Sequence, residues 1–443
     1  MKDNFKYELG LINGKVYQDG NFVAVDVYVK DQVIAEIVPQ GTILPCKEIF
    51  SCTNKLILPG FIDSHVHINL ELGEFKSADD YESASKAAAF GGITTFIDFL
   101  EPINKIEEFD YKLKKKQDEA KKSYIDYAFH TTVGNFDDDV EELIRISQEN
   151  GIPTIKLFTT YSESNRKISD DKLREFLKNS NKTNTLILAH VENDEMILNA
   201  NVEDTITAYE SSRPAKAEIV EIEKITGMAA ASGGKLYIVH VTCGSSVELV
   251  KDKYGELLGK SIFIESCPQY FHLTKDVFQQ ENGNLFLLAP PLRSSEEQEK
   301  LKENISFINT IGTDHCPFTK EEKMRYKEAS KIPKGLGSLE FSFSLMYHLF
   351  GKEIIDKFTI NPAKIHELFP KKGVIQVSSD ADFVIFDSSK TLFIDSGHSR
   401  SDYSPYENMI TNGLIESVIL RGEFVVRNRK LQDVKRGMFI KRN

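Results

Sequence analysis

The chain has 443 residues, 41% hydrophobic and 28% charged, and its 55 Lys and Arg stand against 67 Asp and Glu for a formal charge of −12. That acidic balance argues against a nucleic-acid or anionic-membrane partner, since both select basic surface. Five widely spaced cysteines, an odd number (Cys46, Cys52, Cys243, Cys267, Cys316), do not form a disulfide framework and favour a reducing compartment. The opening stretch, MKDNFKYELGLINGKVYQ, lacks an apolar signal core, and no apolar run approaches membrane-spanning length, so a soluble cytoplasmic protein is expected.

Residues 1–55 read as β-structure, with alternating apolar positions broken by Asn-Gly and Asp-Gly turn signals. From residue 56 the rhythm changes to short β-rich runs separated by amphipathic stretches. The runs are LILPGFIDSHVH (56–67), TTFIDF (94–99), IDYAFHTTV (125–133) and TIKLFT (154–159). TLILAHVE (185–192), KLYIVHVT (235–242), SIFIESC (261–267) and FINTIGTDHCP (307–317) complete the set. Helices are expected at ADDYESASKAAAF, DDDVEELIRISQEN and DDKLREFLKNS. The lysine-rich segment 111–122 reads as a solvated helix face. Residues 370–443 return to short alternating strands. The expected architecture is a (β/α)₈ TIM-like barrel over 56–369, with 1–55 and 370–443 pairing into one small β-sandwich domain. A doubly wound open sheet is the alternative, but its G-x-G-x-x-G turn after an early strand is absent from the sequence.

In such a barrel, chemistry belongs at the carboxyl ends of the strands. His65 and His67 end the first run, two residues apart, and therefore point to one face. Lys156 lies in the fourth run, His190 and His240 end the fifth and sixth, and Asp314 ends the eighth. Each residue alone has a structural explanation; six on one rim point to a metal site. Four imidazoles and a carboxylate suffice for two divalent ions, whose mutual repulsion calls for a bridging anion. Lys156 as an ammonium would worsen that repulsion, whereas its carbamate, formed with carbon dioxide, would offer an oxygen to each ion. Imidazole-rich ligation favours zinc, and manganese, iron or cobalt also fit.

At these residues the sequence resembles the cyclic amidohydrolases: dihydropyrimidinase, hydantoinase, allantoinase and dihydroorotase. LPGFIDSHVH is similar to their opening metal motif, and IKLFTTY to the segment bearing a carboxylated lysine and a tyrosine five residues on. LAHVEN, YIVHVTC, ESCPQYFHLT, APPLR and IGTDHCPF follow in the family's order, and DDYESASKAAAFGGITTFIDF resembles the dihydropyrimidinase and hydantoinase branch. Dihydroorotases, and many allantoinases, carry an arginine two residues after the second histidine. Asn69 stands there in this chain, which ranks both activities lower.

The resemblance implies that His65, His67 and Asp314 hold one ion, that His190 and His240 hold the other, and that carboxylated Lys156 bridges the two. It implies Tyr161 as a donor to the oxyanion and Asp314 as the proton carrier. It places substrate-binding backbone beside Ala289 and Lys334, where the family pattern has a serine and an asparagine. Asp63 and Glu192 are candidates to fix histidine tautomers, and Cys243 and Cys316 read as small buried hydrophobes. The implied substrate is a small cyclic ureide or imide, opened to an N-carbamoyl amino acid, and the implied assembly a homodimer or homotetramer. Two other classes are weighed. A non-catalytic scaffold of the same fold would have lost ligands that this chain retains, and a mononuclear deaminase would lack Lys156.

Overall fold

The structure, a computed structural model, describes residues 5–442. Eight parallel strands form its central sheet: β1 (Phe61–Val66), β2 (Ile93–Phe99), β3 (Asp126–Thr132), β4 (Thr154–Phe158), β5 (Leu186–His190), β6 (Leu236–Ile238), β7 (Ile262–Ser266) and β8 (Thr310–Ile311). They pair in sequence order, and a parallel bridge between Val66 and His315 joins the last to the first. This is the closed (β/α)₈ barrel, with helices such as Tyr81–Phe90, Val140–Glu149 and Ala215–Ser232 on its outside. The expected helices form where capping favours them. Asp80, Asp139 and Ser169 each accept a hydrogen bond from a first-turn backbone N–H, satisfying donors that the helix itself leaves free.

The run 56–67, expected as one strand, is two. Leu56–Pro59 pairs with Phe383–Phe393 in a seven-stranded terminal sheet, and the barrel begins only at Phe61. Gly60 sits at the crossing, where a Cβ would lie 2.2 Å from Thr94 Oγ1 and 2.8 Å from Asp382 Cβ. Only glycine lets the backbone pass between the two layers. The seven-stranded sheet packs on a four-stranded one built from residues 7–51. Leu11, Val27, Ile57, Phe383, Ile385 and Ile419 fill the space between them. Both chain ends therefore contribute to one β-sandwich.

A buried lysine ties this sandwich to the barrel. Lys372 Nζ lies 2.7 Å from Asp126 on β3, 2.7 Å from Asp382 and 2.9 Å from Asp380. The three carboxylates converge closely enough for a cation, and the ammonium already fills that place. Beneath the barrel, Ile440 packs against Ile62, Ile97 and Ala128, and the buried Arg442 guanidinium donates to Thr154 Oγ1 at 3.0 Å. The barrel interior is not wholly apolar. A hydrogen-bonded seam of Ser64, Tyr237, Glu265 and Thr310 runs through it. Among the described residues, no helix is long and apolar enough to cross a membrane.

Candidate active site

The carboxyl ends of the strands frame a cavity of about 430 Å³ whose wall includes His67, Lys156, Tyr161, His190, His240 and Asp314. Barrel closure explains how three of the predicted residues meet. Asp314 N–H donates to His65 C=O at 2.9 Å, and His67 N–H donates to His315 C=O at 2.9 Å. The seam between first and last strands thus brings His65 Nε2 and His67 Nε2 each to 3.2 Å from Asp314 Oδ1. His240 links this cluster to His190, with ring centroids 5.4 Å from His65 and 4.5 Å from His190. Lys156 is 2% exposed, and no carboxylate lies within ion-pair distance of its Nζ among the described residues. Its neighbours there are the rings of Phe99 and Phe158, at 5.3 and 5.5 Å.

Hydrogen bonding assigns two imidazole tautomers. His65 Nδ1–H donates to Glu265 at 2.6 Å, since a carboxylate can only accept, so Nε2 is the nitrogen turned toward Asp314. His190 Nε2–H donates to Glu192 at 2.7 Å, which frees Nδ1. Glu192 is in turn held by the Nε and Nη2 of Arg213, whose guanidinium lies 4.9 Å from the Tyr161 ring centroid. Of the two expected orienting carboxylates, Glu192 therefore touches an imidazole and Asp63 does not. Asp63 accepts from the backbone N–H of His65 and Thr313 and from the Thr313 hydroxyl at 2.6 Å, bracing the closure seam instead. Sequence reading missed Glu265, which stands at the end of β7 on the same rim. Gly312 makes room for it, since a Cβ there would lie 2.6 Å from Glu265 Oε2.

Burial governs the charges. It lowers the Lys156 ammonium to about 7, because desolvation outweighs the opposing pull of Asp314 and Glu265. It also lowers His190 to about 4 and His240 well below the ordinary range, so both are neutral at pH 7. Burial likewise pushes His65 down, but Glu265 and Asp314 outweigh it and raise the ring to about 9. Two carboxylates facing that ring call for positive charge at this point. His65 Nε2 is buried without a hydrogen-bond partner, and the ligand atoms of His65, His67 and Asp314 lie within 4.8 Å of one another. Two imidazoles, one with an orphaned ring nitrogen, and a carboxylate converging this closely fit a divalent metal ion, which would take the place of the proton that the carboxylates draw to His65.

Other expectations are changed in detail. Lys116, within the lysine-rich segment, points inward, donating to Asp98 at 2.8 Å and to Ile68 C=O at 2.6 Å. Asp98 also accepts from Tyr81 Oη and from Phe99 N–H, so this network pins the segment following His67. Ala289 and Lys334 both line the cavity. The Lys334 ammonium, however, is spent on the carbonyls of Ala329, Ser330 and Ile332. Cys243 and Cys316 are buried, and burial pushes both thiols up.

Residues 56–425 match the family model described as the amidohydrolase family. The chain is 31% identical to the D-hydantoinase of Geobacillus stearothermophilus, covering 94% of this chain and 93% of that protein. It is 30% identical to a D-phenylhydantoinase of Escherichia coli O1:K1, covering 93% and 92% respectively. The crystal structure of the dihydropyrimidinase from Brevibacillus agri superposes with a TM-score of 0.91 at 28% identity, over 98% of each chain.

Proposed function

Because the chain belongs to the amidohydrolase family, we propose that it opens the cyclic amide of a dihydropyrimidine or a 5-substituted hydantoin, giving an N-carbamoyl amino acid. One observation carries this reading: His67, Lys156, His190, His240 and Asp314 line one cavity, His65 is buried against Asp314 behind it, and the lysine has no carboxylate partner among the described residues. The names of the relatives supply the substrate class.

In this reading His65, His67 and Asp314 would hold one divalent ion and His190 and His240 a second, with Lys156 as its carbamate shared between them. Zinc suits the imidazole-rich donors. Bound ions of this kind supply Lewis acidity, acidifying water and polarising a carbonyl. Carbamate formation needs the neutral amine, and an ammonium lowered to about 7 provides it at working pH. The nitrogen lone pair bonds the carbon of carbon dioxide while one amine proton is lost to solvent.

Tyr161 would donate a hydrogen bond from its hydroxyl to the oxyanion that develops on the attacked carbonyl. Burial pushes its phenol up to about 12, so the donor keeps its proton. Asp314 would take the proton of the attacking water and pass it to the departing amide nitrogen, which is otherwise too basic to leave. Glu265 and Glu192 would keep His65 and His190 in the tautomers that face the ions. Backbone groups beside Ala289 and Lys334 would hold the ring amide.

The test is turnover by protein supplied with zinc and bicarbonate, using 5,6-dihydrouracil and 5-substituted hydantoins, and followed by ultraviolet absorbance and by the carbamoyl acid formed. Two metal ions per chain and ring opening are expected. Full metal content with no turnover across that panel would defeat the assignment.

A further inference from the structure

The charged side chains that line the cavity are nearly all spoken for. Asp98 pairs with Lys116, and Glu101 with Lys115. Glu74 accepts from Tyr326 Oη at 2.8 Å and lies 3.4 Å from Arg325. Lys331 is 2.8 Å from Glu328, and Lys334 caps three backbone carbonyls. Lys156 and Asp314 belong to the group assigned to the metal ions. Only Arg166 remains: among the described residues its side chain makes neither an ion pair nor a hydrogen bond, although it lines the cavity and is half-buried.

Its position is nevertheless fixed. Arg166 N–H donates to Tyr161 C=O at 3.1 Å, and Asn135 N–H donates to the C=O of Asn165 at 3.1 Å. Ile168 N–H donates to Phe158 C=O at 2.9 Å, and Lys167 is 3.2 Å from Asp194. The backbone is pinned on both sides while the guanidinium stays free. A pre-placed, unpaired guanidinium in a partly desolvated wall matches a carboxylate bidentately. Leu70, Leu72 and Phe75 line the same cavity and suit a short methylene spacer. In a chain of net charge −12, such a cation is a local exception to a field that repels anions.

We infer that the cavity takes cyclic ureides whose ring substituent ends in a carboxylate, and that Arg166 is the specificity-determining residue that pairs with it. This rests on the proposed ring-opening reaction. The test compares 5-(2-carboxyethyl)hydantoin with its neutral isostere 5-(2-carbamoylethyl)hydantoin. The wild-type chain should favour the carboxylate about 10- to 100-fold in kcat/KM, as expected of a charge-assisted pair. The preference should sit mainly in KM and shrink as salt rises. Arg166→Gln should bring the ratio to about one and Arg166→Glu should invert it; taking the ratio within each protein cancels any general loss of activity. A wild-type ratio near one, or one that Arg166→Gln leaves unchanged, overturns the inference. So does a preference insensitive to salt, which can be read on the wild-type chain alone. If neutral hydantoins and 5,6-dihydrouracil are opened without a carboxylate preference, only the role of Arg166 falls. If none is opened by metal-loaded protein, the ring-opening reading falls and this inference with it.

Discussion

Replacing Tyr161 by Phe removes a single hydroxyl from the cavity wall. The ring it leaves behind is well held, 5.0 Å from the His190 ring and 4.9 Å from the Arg213 guanidinium. Among the described residues the hydroxyl donates no hydrogen bond, so its loss orphans no partner. Stability should therefore change by no more than about 0.5 kcal/mol. The rate should behave differently. A positioned donor to a developing oxyanion contributes about 3 kcal/mol, and at about 1.4 kcal/mol per decade that predicts a loss of about 150-fold in kcat. KM should stay within about threefold, because the bond forms only as the carbonyl becomes an oxyanion. With the phenol pushed up to about 12 by burial, the wild-type rate should show no alkaline limb from this group below about pH 11. Steady-state ring opening, metal content and a thermal melt on both proteins decide the matter. A fall in kcat of under about fivefold with metal fully retained, or a fall that simply tracks metal loss, would refute the reasoning.

Glu192→Gln should weaken metal binding about 10- to 100-fold in chelator competition, since the His190 tautomer loses its anchor. Burial raises Glu192, but Arg213 and His190 outweigh it and hold it at about 2, against 4.5 for the ordinary group. A depressed carboxylate stabilises the fold above pH 4.5 and loses that contribution as pH falls toward 2, about 3 kcal/mol in all; urea titrations across that window should show Glu192→Gln losing less stability on acidification. Lys372→Met leaves three aspartates around an apolar side chain and should cost about 3–5 kcal/mol in the same assay. Lys156→Ala should purify with at most one ion per chain and no turnover, whereas Asp314→Asn should lose turnover while keeping part of its metal, both read by elemental analysis beside kinetics.

The barrel and the cluster of residues on its rim were legible because they follow simple periods. Strand alternation places His65 and His67 together, and the rule that barrel chemistry sits at strand ends gathers Lys156, His190, His240 and Asp314 without any contact information. What supports those residues was less legible. Glu192 lies two positions from His190 and could be proposed; Glu265 lies 200 positions from His65, and only barrel closure makes them neighbours. Lys116 looks like its solvated neighbours in a lysine-rich helix, and its inward turn depends on Asp98 waiting at the end of β2. The break at Gly60 was hidden because apolar residues continue through it, and steric contact with Thr94 and Asp382 separates the two layers. Arg166 carries no sequence signal at all; its interest arises from its standing unpaired, among the described residues, outside the cluster proposed to hold the ions.

The seam between β1 and β8 also has a temporal consequence. Lys156, His190 and His240 come from neighbouring strands β4 to β6, whereas His65 and His67 must wait for Asp314, about 250 residues later in synthesis. On the ribosome, the middle of the nascent chain can assemble its half of the centre long before the first histidines find their aspartate. If His65 and His67 hold an ion as proposed, its capture is thereby coupled to completion of the whole cylinder, and truncated chains ending before residue 314 should leave that half empty.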